Sequence, residues 1–326
     1  MPAGLGEFDR ISRFFKPLAA GIEGALELQD DAALISPPSG EELAVTTDAM
    51  VEGVHYLAGE DPARLARKLL RVNLSDLAAM GARPVAYTLT TVLPKSVGDD
   101  WLARLAAGLA SDQEAFGLHL IGGDSVSTTG PVVLSVTALG AVPKGRALTR
   151  SGARPGDRVF VSGTLGDGAL GLMAAKGELP HLSPGDVEAL SSRYHLPTPR
   201  TGLGPRLLQL ASACMDVSDG LPGDLAHICE ASGVGARVEV ERLPLSEAAR
   251  RAIDADRSLL STALSGGDDY ELLFTAPPAA MEAIGGIAAE LGIPLTPIGE
   301  IVEGDGVALV DRDGRPIENL HGWTHF

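Results

Sequence analysis

Aspartates recur along this 326-residue chain in one kind of setting, a short apolar run that ends in a turn of small residues. Asp30 and Asp31 stand in LQDDAALI, Asp48 in TTDAM and Asp124 in LIGGD, while Asp216 and Asp219 stand in MDVSDG and Asp268 and Asp269 in SGGDDYELLF. Asp76 differs: it lies in the helical segment VNLSDLAAMG among Leu74, Leu77 and Ala78, which turns it inward or into a cleft. Any one such acid has a plain structural explanation, because Asp-Gly pairs are common turn chemistry and an Asp after a strand often caps the next helix. Their repetition on separate elements points further. Loops at the carboxyl ends of strands in an open α/β sheet converge on one crevice. Two carboxylates about 4 Å apart repel by roughly 4 kcal/mol at an effective dielectric of about 20, so several share a crevice only when protonated or bridged by cations. The all-oxygen set, with Thr46 and Thr47 beside the acids and no paired Cys or His, suits magnesium rather than zinc.

Hard cations in turn suit a phosphate substrate. The net charge of −17 argues against a nucleic-acid duplex or a membrane surface as partner, and phosphates meet such a surface only with divalent ions between. The chain has no Gly-Lys pair and therefore no Walker A loop; its five lysines end at Lys176, which leaves metal and Arg to meet phosphate charge. GDGALG sets Gly166, Gly168 and Gly171 in a dinucleotide-type spacing, but no acid ends a second strand about twenty residues on, and a turn packing helix on strand is the better reading. His55 follows the Thr-Thr-Asp run and can face the same crevice. Trp323, after a glycine near the chain end, is a candidate stacking platform or lid.

Alternating helical and strand patterns must position these groups. EFDRISRFFKPLA has helical spacing; ALELQDDAALI and LAVTTDAM read as strands, the second ending on Thr46, Thr47 and Asp48. DPARLARKLLRVNLSDLAAMG opens with Asp61 as cap and Pro62 in the first helical position and stops at Gly81. PVAYTLTTVL, LHLIGGD and PVVLSVTALGAV are strands, and DDWLARLAAGLASDQEAFG is a helix. Residues 143–157, rich in Gly, Pro and Arg without apolar periodicity, mark a boundary between domains 1–145 and 146–326. The second half alternates again, through strands RVFVSG, ACMDVSDG, GARVEV and YELLFTA and the helices between, so both halves are α/β. Cys214 and Cys229 have no metal or disulfide spacing, the first thirty residues carry no signal-peptide pattern, and the most apolar run is too short to span a bilayer. A cytoplasmic protein is the expectation.

The segments TTDAMVEGVHY, VNLSDLAAMGARP, LIGGD, GRALTRSGARPGD, DVSDGL and SGGDDYELLF, in that order, resemble thiamine-monophosphate kinase, a family of the aminoimidazole ribonucleotide synthetase-like superfamily. The resemblance implies a two-domain α/β fold, each domain a mixed sheet packed with helices, the first binding ATP and magnesium. It implies a homodimer that converts thiamine phosphate to thiamine diphosphate with ATP and several Mg2+ ions, by in-line transfer that needs no side-chain base. By motif match, Asp31, Thr46, Thr47, Asp48, Asp76, Asp124, Asp216 and Asp219 would hold magnesium. Gly123, Asp124, Arg150 and Ser218 would meet ATP, and His55, Asp268 and Trp323 would contact thiamine phosphate. Asp268 stands where the family usually has Glu, and Gln29 and the segment SVSTTG also depart from its pattern. Sister ATP-dependent activities of the superfamily, and a magnesium- or nucleotide-binding regulator without turnover, are the rival readings.

Overall fold

Alternation of side chains along β1 (Glu41–Val51) sets the plan of the first half of the chain. In the computed structural model, which describes residues 6–315 and 317, Thr46 and Asp48 turn to one face of this strand and Val45, Thr47 and Ala49 to the other, exposed face. Three more strands, β2 (Arg83–Pro94), β3 (His119–Thr128) and β4 (Val133–Pro143), complete a mixed sheet of order β1-β4-β2-β3. Among the described strands of this sheet, only β2 and β3 run parallel. Of its helices, α1 (Glu7–Arg10) is a single turn, while α2 (Pro62–Ala79) and α3 (Asp99–Phe116) are long. The long pair cover the Thr46 face. Asp112 on α3, fully buried, takes the Nε groups of Arg67 at 2.9 Å and Arg71 at 2.6 Å from α2, which pairs a charge that would otherwise be costly to bury.

Three sequence expectations are corrected here. Residues 25–35 form no strand. A 3-10 turn, Glu23–Leu28, holds Leu26, Glu27 and Leu28 at φ of 49°, 57° and 56°, left-handed values that no strand accommodates. The apolar residues of that stretch are satisfied instead by packing Ala25, Leu28, Ala33 and Ile35 on Ala86 and Ile121. The helical pattern of residues 7–19 breaks into the α1 turn, a π-type turn over Ile11–Phe15 and a 3-10 turn over Lys16–Ala19 that carries Pro17, whose missing N–H ends the regular ladder. Finally, β1 does not end at Asp48. It runs on to Val51 with Thr46, Thr47 and Asp48 paired to Ala138, Thr137 and Val136 of β4. As the outer strand of the sheet, β1 can hold polar side chains in mid-strand.

The contact pattern divides the chain into Met1–Leu77 with Ala82–Gly145, and Ala78–Gly81 with Arg146–Phe326. The second unit is built on β5 (Arg158–Ser162), α4 (Asp167–Ala175), α5 (Pro184–His195), α6 (Gly204–Leu207) and β6 (Ala213–Asp216). There follow α7 (Leu221–Ser232), β7 (Gly235–Glu239), α8 (Glu247–Ala255), α9 (Leu259–Ser265), β8 (Leu272–Ala276), α10 (Met281–Leu291), β9 (Leu295–Val302) and β10 (Val307–Val310). The sheet has order β10-β7-β9-β5-β8-β6, with β10 and β7 its parallel pair. Both faces are covered. Val159, Val161 and Leu273 pack with Leu225 and Ile228 of α7, and Phe160 and Phe274, stacked at 5.1 Å, pack with Ile284 and Ile287 of α10. Full burial of side chains of this size contributes about 1.5–3 kcal/mol each. The short helices α6 and α9 carry too few residues to show a period in sequence.

Candidate active site

In the first unit a cavity of about 230 Å³ lies against β3. Ile11, Phe15 and Leu28 supply apolar lining, and Asp30, Asp31, Gly122, Gly123 and Asp124 supply oxygens and main chain. Gly123 is required by packing, since a Cβ there would collide with the Leu89 carbonyl of the paired strand β2. Thr91 and Ser125 join hydroxyls at 3.0 Å on the same wall. Asp31, Gly123 and Asp124 are thus brought together. On the helix-covered face of the sheet, Thr46 Oγ1 donates to Asp76 Oδ2 at 2.5 Å, and Asp48 shares the Thr46 face of β1. Thr47 is on the opposite face, its hydroxyl donating to the Val136 carbonyl at 3.1 Å, so only its main chain can serve the Thr46 side. His55 closes the turn after β1, its Nδ1 accepting from the Val51 N–H at 3.0 Å.

In the second unit, the loop after β6 and the loop before β8 are laced together. The Asp268 N–H donates to the Ser218 carbonyl at 2.9 Å, and the N–H groups of Tyr270 and Val217 bond the Val217 and Glu271 carbonyls at 2.8 Å each. Asp216 is buried at the end of β6, and Ser218 and Asp219 follow it, half-buried. Asp224, in the first turn of α7, turns back so that Oδ2 accepts from the N–H groups of Ser218 and Asp219, both at 3.1 Å. Burial pushes the Asp224 carboxyl up to about 7, with the Asp219 charge adding to the rise and the accepted N–H bonds opposing it. Asp269 is also buried, and it accepts from the N–H groups of Gly166 at 2.7 Å and Gly168 at 2.9 Å. Burial lifts it to about 8 against those two bonds. The glycine turn opening α4 is therefore filled by a carboxylate of its own chain, in agreement with its reading as packing chemistry. Arg150 is exposed, and its carbonyl accepts from Ser232 Oγ at 3.3 Å.

Residues 29–142 match the family AIR synthase related protein, N-terminal domain, and residues 154–312 match AIR synthase related protein, C-terminal domain. A thiamine-monophosphate kinase of Caulobacter vibrioides is 44% identical over 324 residues, which span 98% of this chain and 90% of that relative. The chain belongs to the thiamine-monophosphate kinase family. A solved thiamine-monophosphate kinase from Stenotrophomonas maltophilia K279a is similar at 43% identity with a TM-score of 0.81, over 89% of this chain and 91% of that one. A second solved structure, AaThiL complexed with AMPPCP and TMP, is similar at 33% identity with a TM-score of 0.79, over 99% and 97%.

Among the described residues of this kinase-family chain, no three His, Cys, Asp or Glu side chains stand close enough to hold a metal ion by themselves. The acids stand instead as small groups, Asp31 with Asp124 on the cavity and Asp76 with Thr46 between α2 and β1 in the first unit, and Asp216 with Asp219 in the second. Trp323 lies outside the described residues. Sequence reasoning passed over Asp224 and the role of Asp269, although an acid in a first helical turn and a paired Asp-Asp were both visible. It also passed over Glu271, fully buried, on which Arg200 closes with Nε and Nη2 and Arg193 with Nη2 at 2.9 Å. A charge inside YELLF must find partners, but those partners are 71 and 78 positions away.

Proposed function

We propose that this chain transfers the γ-phosphoryl group of ATP directly to thiamine phosphate, giving thiamine diphosphate and ADP. The observation that carries the reading is the near-full-length likeness to AaThiL complexed with AMPPCP and TMP, a complex with a non-hydrolysable relative of ATP and with the acceptor. The cavity of the first unit has the composition that such a donor needs. Apolar Ile11, Phe15 and Leu28 suit a base, and the Gly122–Gly123 main chain with Asp31 and Asp124 suits a metal-carried phosphate chain. By motif match, Arg150 and Ser218 are proposed for ATP, and His55, Asp268 and Trp323 for thiamine phosphate. Asp268 supplies the negative charge that a thiazolium cation calls for.

The donor set also fits magnesium. Asp31, Thr46, Asp48, Asp76 and Asp124 are the first unit's candidates, with Thr47 through its main chain, and Asp216 and Asp219 are the second unit's. Magnesium is commonly held by one or two carboxylates plus substrate phosphates and waters rather than by an all-protein cage, and small groups of acids match that habit. Once bound, it offsets the charge of two polyanions that must approach. The acceptor is itself a phosphate oxygen and already anionic, so the protein's own task is to align the two phosphates and exclude water.

A homodimer is proposed on the open face of the first sheet. Val45 is 62% exposed and Val126 43% exposed there, beside Thr47 and Ala49 of β1 and Thr88 and Thr90 of β2. A cytoplasmic location suits two free, buried cysteines, and no described helix is long and apolar enough to cross a membrane. The test is incubation with ATP, Mg2+ and thiamine phosphate, with products read by mass spectrometry. Thiamine diphosphate with equimolar ADP supports the reading. No product above a no-enzyme control rejects it, and ATP binding without turnover favours the regulator.

A further inference from the structure

Residues 268–270 make a bend in which two non-glycine residues, Asp268 at φ 69° and Tyr270 at φ 52°, occupy the left-handed region. Asp enters it with some ease, but a bulky aromatic does so rarely, and such residues persist where the surroundings over-determine them. Here each of three successive residues is pinned. The Asp268 N–H is fixed on the Ser218 carbonyl, the Asp269 carboxylate on the Gly166 and Gly168 amides, and the Tyr270 N–H on the Val217 carbonyl. The outcome is a side-chain contact: Tyr270 Oη donates to Asp268 Oδ1 at 3.0 Å, with both residues half-buried. A half-buried Asp without such a donor samples several rotamers, and ordering it on binding costs affinity.

We infer that Tyr270 is a positioning residue for the acceptor substrate, its hydroxyl holding the Asp268 carboxylate in the orientation that meets thiamine phosphate. The inference rests on the proposed contact between Asp268 and that substrate. The bend is strained so that a ring two residues along the chain can reach back to the acid, and Asp269 is the buried anchor that keeps the bend closed.

Tyr270→Phe removes the hydroxyl and keeps the ring, and steady-state kinetics with each substrate varied in turn gives the readout. Expected is a rise of roughly three- to tenfold in KM for thiamine phosphate, with KM for ATP unchanged and kcat within about twofold. The effect should vanish in an Asp268→Asn background, since two residues acting through one contact are not additive. If Asp268→Asn raises KM for thiamine phosphate and Tyr270→Phe does not, the positioning role is wrong and the substrate assignment stands. If Asp268→Asn leaves that KM unchanged, the substrate assignment of Asp268 and the role of Tyr270 fall together. A Tyr270→Phe variant that shifts both KM values along with the thermal midpoint is a packing defect and overturns the inference.

Discussion

Thr46 Oγ1 donates to Asp76 Oδ2 across 2.5 Å, joining a mid-strand hydroxyl of β1 to a carboxylate on the helix laid over it. The bond fixes a candidate metal ligand before any ion arrives. Thr46→Val should therefore cost about 1 kcal/mol of stability, the usual net worth of one hydrogen bond, and raise the magnesium concentration needed for half-maximal turnover. Asp48→Asn, which keeps the size of the side chain and removes its charge, should lower turnover at limiting magnesium and leave the unfolding midpoint nearly unchanged. Magnesium titrations of the two variants that superimpose on the parent's remove Thr46 and Asp48 from the metal set.

Gly123→Ala forces a methyl group onto the Leu89 carbonyl, and neighbouring strands cannot part without losing their ladder. The expected result is a weakened first unit, by more than about 1 kcal/mol, and loss of nucleotide binding measured by calorimetry. Retained ATP affinity would show that the Gly-Gly-Asp strand does not line the nucleotide site.

Glu271→Gln withdraws the charge on which Arg193 and Arg200 converge. Breaking a buried ion pair on one side costs about 3–5 kcal/mol, so urea denaturation should show a large loss. A loss below about 1 kcal/mol would mean that Arg193 and Arg200 find other acceptors or solvent.

The pH dependence has a definite sign. Asp269 rises from an ordinary value of 3.8 to about 8 in the fold, mainly through burial. Between those limits the native state holds a proton that the unfolded chain has released, so stability falls as pH climbs through the interval and levels off above it. Asp224, raised to about 7 for the same reason, acts in the same sense. Asp269→Asn mimics the protonated acid. Urea midpoints measured near pH 5 and above pH 8 should fall less in this variant than in the parent, and equal falls would contradict the assignment.

How far the sequence reaches can be judged from single elements. α2 was fully legible, because Asp61, Pro62 and Gly81 each act within one turn of themselves: the Arg64 N–H bonds Asp61 Oδ1 at 2.9 Å, and Gly81 takes φ 69°. Asp31, Gly123 and Asp124 were legible as residue types, and the cavity unites them, although Gly123 and Asp124 lie inside β3 and not in a turn at a strand end. The failures share a cause. Residues 25–35 alternate like a strand, but packing on Ala86 and Ile121 decided their conformation. Polar Thr46, Thr47 and Asp48 looked like a strand end because exposure on an outer strand is a property of the sheet, not of the segment. Which Arg meets Glu271, and which amides meet Asp269, depends on chain returns that local spacing does not encode.

The most direct measurement follows the terminal phosphoryl group itself. Enzyme mixed with γ-32P-labelled ATP, Mg2+ and thiamine phosphate in a single turnover should place the label on the outer phosphate of thiamine diphosphate, one for one with ADP formed and with no labelled protein at any time. Label accumulating on the protein, or released as free phosphate while thiamine phosphate stays unconverted, would contradict direct transfer between the two ligands.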